Sequence, residues 1–466
     1  MTYQSPVFIN PAAVTAVHTN PDDGGADSIP PLSPSRAPAL ALHRLLPNYA
    51  ETPLHSLPSV ARELGLGHVL LKDESRRFGL PSFKILGASW AVYRAVAEHL
   101  KLQQQQQKQQ QRQRRSSTID DNDDSDDDDE EEEEEEGEWK GKGSPDSSSS
   151  SSPEPLKKTM EKETATEEAA ATTTGEKEEN GPCGLGLGLG LEIVTCTEGN
   201  WGRAVARMAA YLGVSAVVYV PAHMPESTRD LIAGEGADVR VVQGSYDDAV
   251  DAAKAAAEQN DCALLVMDIG WEGYETVPQW VVEGYQTMLD ELDSQVPRVT
   301  GGKSVTHAIV PVGCGSIAQA VAQHFKSPVR EPHGGGSSAA AAVATVLGAE
   351  PDTAACLRAS LGTGEMVSVP TQDSIMCGMN CGTLSTPAWP VLRTGVDASV
   401  IVSDVEAHHA VVELETLRIQ AGPCGASTLA ALKLACEAEK TRLGLSENSV
   451  VVLFCTEGKR EYRPPA

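Results

Sequence analysis

From His68 to Gly458, short β-branched runs alternate with stretches of helical spacing, and this alternation sharply limits the folds open to the chain. HVLLKDE precedes LGASWAVYRAVAEHL, LEIVTC precedes NWGRAVARMAAYLG, and SAVVYVP precedes ESTRDLIAGEG. DVRVVQG, ALLVMDIG, HAIVPVG, ATVLGAEP and VVVLFCTEG continue the series. Runs of this kind read as strands, most of them followed by helices. The pattern predicts an α/β protein with parallel sheets covered by helices on both faces. In such sheets ligands bind beyond the carboxyl ends of the strands, so informative residues should fall just after each strand. At 466 residues the chain exceeds what one core comfortably supports, and two domains are expected.

Two segments interrupt the pattern. After about Leu100 come QQQQQKQQQRQRR, an acidic run, a serine run and Thr/Glu/Lys repeats. Such sequence buries too little apolar surface to offset its ordering entropy, so residues 102–186 are expected to be a disordered low-complexity insertion in a surface loop. Residues 101–190 hold 25 acidic and 11 basic side chains, a net of −14, which is about half of the chain's −29. A smaller insertion is expected at HGGGSSAAA, 333–341, and residues 1–37, rich in Pro, Asp and Ser, read as a flexible N-terminal arm.

The charge balance argues against nucleic acid and anionic membranes as partners, because binding phosphates needs clustered Lys and Arg. No apolar stretch approaches the roughly 20 residues of a membrane helix, and MTYQSPVFINPAAV lacks the basic start and apolar run of a secretory signal. Ten cysteines without a compact framework suggest reduced thiols and a cytoplasmic location. Cys377 and Cys381 have no second ligand pair nearby, so no metal site is expected.

Lys84, in GLPSFKILGA just before an apolar helix, has two readings. It fits a surface lysine whose stem lies on apolar surface. It also fits a lysine whose apolar setting eases proton loss and makes it a Schiff-base nucleophile. Four strand ends add further signals. TEGNWG (197–202) places Glu198 and Asn200 where a helix begins, suiting either a capped turn or an anion site. In GCGSIAQA, Gly313 and Gly315 let backbone approach a ligand, with Cys314 between them and Ser316 adding a hydroxyl, although the spacing matches no strict nucleotide fingerprint. Asp268 in DIGWEGY suits a cap or a catalytic carboxylate. FCTEG offers Cys455 or Thr456 as an uncharged hydrogen-bonding group, against the ordinary reading of Cys455 as core.

A nucleophilic lysine, a glycine cup, an anion-binding loop and a neutral ring partner are together what pyridoxal phosphate requires. On these residues the chain resembles the fold-type II pyridoxal-phosphate enzymes, the group of the tryptophan synthase β subunit. Within it the chain is most similar to the diaminopropionate ammonia-lyases. LPNYAETPLHSLPSVARELGLGHVLLKDESRRFGLPSFKILGA, DIGWEGYETVPQW, the GMNCG turn (378–382) and CTEG carry the likeness. It extends over most of 38–460 outside the insertions. The resemblance implies that Lys84 holds the cofactor as a Schiff base and Asn200 binds the ring's 3-hydroxyl. Gly313, Cys314, Gly315 and Ser316 would bind the phosphate, and Cys455, or Thr456, would face the ring nitrogen. Thr197, Gly199 and Asn200 would line the substrate, with Asp268 and Glu198 catalytic beside Lys84.

The implied reaction is α,β-elimination from an amino acid, with 2,3-diaminopropionate going to pyruvate and ammonia in a homodimeric enzyme. A serine or threonine dehydratase, or a cofactor-binding protein without turnover, are the alternatives. The chain departs from the family pattern at Glu198, where the family has Asp, and at Trp201, where it has His. Residues 38–85 with 285–466 should form the large cofactor-binding domain, and 86–101 with 187–284 the small one.

Overall fold

The computed structural model describes residues 5–16, 37–120, 190–327 and 343–465. The acidic and serine runs and the 333–341 segment lie outside them. The described chain divides into two compact units, one containing both sheets and one containing residues 97–120.

Eleven strands make two sheets. They are β1 (Val7–Ile9), β2 (Leu54–Ser56), β3 (His68–Asp73), β4 (Glu192–Cys196), β5 (Ser215–Pro221), β6 (Asp238–Val242), β7 (Ala263–Leu265), β8 (His307–Pro311), β9 (Thr345–Pro351), β10 (Ala398–Val402) and β11 (Val450–Cys455). The larger sheet runs β1-β10-β9-β8-β11-β3-β2 and the smaller β6-β5-β4-β7. Neighbours are parallel throughout the smaller sheet, and in the larger one all but the two edge pairs, β1 with β10 and β2 with β3, are parallel. Central strands such as VVVLFC and HAIVP are buried along their whole length, because helices cover both faces of a parallel sheet. β11 lies between β8 and β3, so the loops after these three strands open at one place.

Two boundaries differ from the sequence expectation. The N-terminal arm is not loose throughout: Val7–Ile9 forms an edge strand, and the buried Asn10 side chain donates to the Arg393 and Val396 carbonyls at 2.8 and 2.7 Å. These bonds satisfy carbonyls that would otherwise be left open at the C-terminal end of the helix Trp389–Gly395. The helix Lys84–Asp120 also runs on through the glutamine tract, into residues assigned above to the insertion. Gln, Lys and Arg lose little rotamer freedom in a helix, and a helix already started needs no new nucleus.

The motif KDESRRFGLPSFK is explained by a buried ionic network. Arg77 donates to both oxygens of Glu74 at 2.7 Å and to both oxygens of Glu291 at 2.8 Å. Lys72 Nζ reaches Glu291 at 2.7 Å, and the Thr52 hydroxyl donates to Glu74 at 2.6 Å. None of these four charged side chains is more than 2% exposed. Two cations meet two anions, so the network is neutral. Burial would raise the Glu291 pKa, but Arg77 and Lys72 outweigh it and hold the carboxyl well below its usual value. The network ties β3 and the loop after it to the helix Gln286–Thr300. Removing one partner strands the others in the core, so Arg77→Met should destabilise the fold by about 3–5 kcal/mol. A chemical-denaturation midpoint close to that of wild type would contradict this account.

Candidate active site

Lys84 is the first residue of its helix, and the loop leading to it is pinned from two sides. The Phe83 amide donates to the Thr456 carbonyl at 3.2 Å, Gly458 N to Pro81 O at 2.9 Å, and Glu74 N to Cys455 O at 2.9 Å. Phe78 and Gly79 turn the chain with φ of 52° and 77°; the first is costly for a residue with a side chain and is held by surrounding packing. Phe78 is buried against the rings of His43 and Tyr49. Lys84 is therefore set against the end of β11.

The smaller sheet delivers its residues to the same place. β7 leads into Asp268, whose carboxylate is in direct contact with the Lys84 ammonium. β4 leads into TEGNWG, and the Trp201 ring centroid lies 5.9 Å from Lys84 Nζ. Trp201 is buried and donates through its indole nitrogen to the Thr195 hydroxyl at 2.9 Å, which makes one wall of the site apolar. The charge state of Lys84 differs from the expectation of an easily deprotonated lysine. Burial does pull its pKa down, but the neighbouring Asp268 carboxylate more than offsets that, and the net shift is upward. Free Lys84 is thus an ammonium ion paired with Asp268, its side chain 23% exposed.

The glycine cup follows β8. Gly315 has φ 94° and precedes the helix Ser316–Lys326, whose free amides suit an anion. A Cβ on Gly313 would stand 3.2 Å from Met379 Cα and 3.3 Å from the Gly378 carbonyl, so the GMNCG turn packs directly on the cup. A loop that sequence reading missed clamps it from the other side. Ser385 N donates to Cys314 O at 2.8 Å, and Gly270 N donates to the Ser385 hydroxyl at 2.7 Å. Ser385 thereby ties the turn after Asp268 to the cup; Ser and Thr in STP carried no signal beyond that of an ordinary loop. Cys314 donates to the Asp268 carbonyl at 3.6 Å, and the neighbouring Cys381 thiol draws its pKa below the usual value.

The remaining candidates divide. Cys455 is fully buried at the end of β11, close-packed on Gly425, and burial keeps its thiol protonated; Thr456 follows it, also buried. Asn200 opens the helix Asn200–Leu212. The Thr197 hydroxyl accepts from the Gly199 and Gly202 amides at 3.0 and 3.1 Å, so it is occupied in shaping the loop rather than turned toward a substrate. Glu198 is exposed and paired with His223 at 3.1 Å, not with Lys84. Among the described residues no group of three His, Cys, Asp or Glu is placed to hold a metal ion. Eight described cysteines are free, whereas Cys262 is disulfide-bonded, a departure from uniformly reduced thiols. No described helix is long and apolar enough to cross a membrane.

The family described as "Pyridoxal-phosphate dependent enzyme" matches residues 169–456. The chain belongs to this family. It is 29% identical over 393 residues to diaminopropionate ammonia-lyase of Salmonella typhimurium, covering 82% of this chain and 75% of that one. It is 28% identical over 245 residues to L-threonine ammonia-lyase of Geobacter sulfurreducens, covering 52% and 54%. The crystal structure of Escherichia coli diaminopropionate ammonia-lyase in complex with D-serine superposes with a TM-score of 0.67 at 25% identity, covering 97% of this chain and 93% of that one. Maize serine racemase, at 19% identity and a TM-score of 0.60, shares the fold. The fold is that of the fold-type II pyridoxal-phosphate enzymes, and the residues present fit the cofactor. A lysine seated against the end of β11, a cup whose glycines admit close approach and helix amides for a phosphate are joined through Asp268, which touches Lys84 with its carboxylate and Cys314 with its carbonyl.

Because Asp268 holds Lys84 charged, Asp268→Asn should leave burial in control and lower the lysine's pKa. The rate at which trinitrobenzenesulfonate modifies Lys84 in the cofactor-free protein, followed by mass spectrometry, should then rise at lower pH than in wild type. A shift toward higher pH would refute the assigned role of Asp268.

Proposed function

We propose that this protein is a pyridoxal-phosphate-dependent ammonia-lyase that converts 2,3-diaminopropionate and water into pyruvate and two molecules of ammonia. The observation that carries the reading is the contact of Lys84 with Asp268 across from the glycine cup, in a chain whose relatives over most of its length are diaminopropionate ammonia-lyases. The cofactor, when bound, withdraws electrons from the substrate's α-carbon so that its proton can leave. Lys84 holds the cofactor and, once released, accepts the α-proton on its own side. Asn200 orients the cofactor ring through its 3-hydroxyl. Gly313, Cys314, Gly315 and Ser316 hold the phosphate. Cys455 or Thr456 offers the ring nitrogen an uncharged partner, which favours elimination.

Asp268 supports a diamino acid over a hydroxy amino acid. With Lys84 engaged, its carboxylate is a nearly buried negative charge without its former partner, which is costly unless another cation arrives. The second ammonium group of 2,3-diaminopropionate is such a cation, and it must leave as ammonia; the hydroxyl of serine or threonine carries no charge. Glu198, in the loop after β4, serves as base for the opposite enantiomer after release from His223. With eight described thiols free and only Cys262 among the described cysteines in a disulfide, we assign a cytoplasmic location, and a homodimer on the likeness to the family.

Pyruvate release, measured with both enantiomers of 2,3-diaminopropionate and with serine and threonine, tests the reading. The diamino acid should be turned over fastest, and Lys84→Ala should lose turnover by at least about a thousandfold. Faster turnover of threonine would assign a dehydratase instead. Glu198→Gln should suppress the D-enantiomer far more than the L-enantiomer. Equal loss on both would make Glu198 a positioning residue.

A further inference from the structure

Tyr285 is fully buried, and its hydroxyl has no hydrogen-bond partner. The ring is nonetheless seated with care. A Cβ on Gly87 would lie 2.6 Å from Val281 and 2.7 Å from the Tyr285 ring, and one on Gly284 would lie 2.8 Å from Gly87 Cα. Two glycines, one on each helix, thus let the chain around Tyr285 come down on the first turn after Lys84. Phe83 completes the seat, with its ring centroid 4.9 Å from that of Tyr285. Packing this close would serve a phenylalanine equally well, so it does not account for a hydroxyl.

The surroundings do account for it. The hydroxyl lies within electrostatic reach of Lys84, Asp268 and Cys314 and is bordered by Ser316, with which it makes no well-formed hydrogen bond. With its ring packed on Phe83 and Gly87 and its hydroxyl bordering Ser316, Tyr285 adjoins both the lysine's helix turn and the cup. In pyridoxal phosphate the aldehyde carbon and the phosphate-bearing arm sit on adjacent ring carbons. A donor adjoining both the lysine that would take the first and the cup that would take the second is suited to the phosphate arm. Burial raises the phenol's pKa, so it keeps its proton and can donate. A buried hydroxyl without a partner is a standing cost, removed when an acceptor arrives.

We propose that the Tyr285 hydroxyl is a buried hydrogen-bond donor to the phosphate arm of the cofactor, completing the cup formed by residues 313–316. The inference rests on the family's cofactor and not on the substrate proposed above, so the two can fail separately. Tyr285→Phe keeps the ring and its seat. Its cofactor-free form should melt at or above the wild-type temperature, since an unpartnered hydroxyl has been removed. Its dissociation constants for pyridoxal phosphate, by absorbance titration, and for inorganic phosphate, by thermal shift, should rise at least about tenfold. Attachment of pyridoxal, which lacks the phosphate, should be unchanged. Wild-type affinity for both phosphate-bearing probes would overturn the proposal. So would an equal loss for pyridoxal and pyridoxal phosphate, which would place the hydroxyl at the ring or at Lys84. If Tyr285→Phe does not fold, the ³¹P resonance of pyridoxal phosphate bound to the wild-type enzyme decides. A Tyr285 hydroxyl proton coupled to that phosphorus supports the proposal, and its absence overturns it.

Discussion

The ionic network of Lys72, Glu74, Arg77 and Glu291 is the constraint on which the placement of the site depends. The loop from Glu74 to Phe83 carries Lys84, and its backbone turns through a left-handed Phe78 that local preference disfavours. Arg77 spans from Glu74 on that loop to Glu291 on a helix far along the chain. Four buried charges in one neutral cluster tolerate few alternative arrangements, because each misplaced partner leaves a charge uncompensated in a poorly polarisable interior. The network also reaches His43, whose pKa burial and then Arg77 lower to about 3, leaving it neutral. His43 bonds to Thr287 and Ser89, the latter on the helix that begins at Lys84.

From that anchor the chemistry follows by convergence. The larger sheet supplies the lysine, the cup and the neutral strand end, because β3, β8 and β11 are neighbours and their carboxyl ends open together. The smaller sheet supplies Asp268 and Trp201 from β7 and β4, which are also neighbours. The Lys84–Asp268 contact joins the two sets. It holds the lysine charged in the absence of the cofactor.

Much of this was legible before any coordinates. Strand–helix alternation announced the architecture, and of the residues singled out near strand ends, Lys84, Asp268 and Cys314 of the cup are in mutual contact through Asp268. Other features could not be read. Glu291 looks like any acidic residue of an amphipathic helix until Arg77 is found against it. Ser385 sits in an unremarkable STP loop, and Tyr285 in an apolar run. The protonated state of Lys84 was misjudged, because apolar neighbours in sequence say nothing about a carboxylate 184 residues away. The glutamine tract was judged by its low apolar content, whereas its helix continues one already nucleated at Lys84.

The sequence by itself determined the class of fold and the residue types available to the site. Periodicity and turn residues act over a few positions, and strand ends are where such folds expose backbone and side chains. Only the tertiary structure decided which side chains face one another, and so which charges are paired. Electrostatic coupling depends on separation in space and on burial, not on separation along the chain. For that reason Asp268, Glu291 and Tyr285 acquire their roles only when the two sheets and their helices have come together.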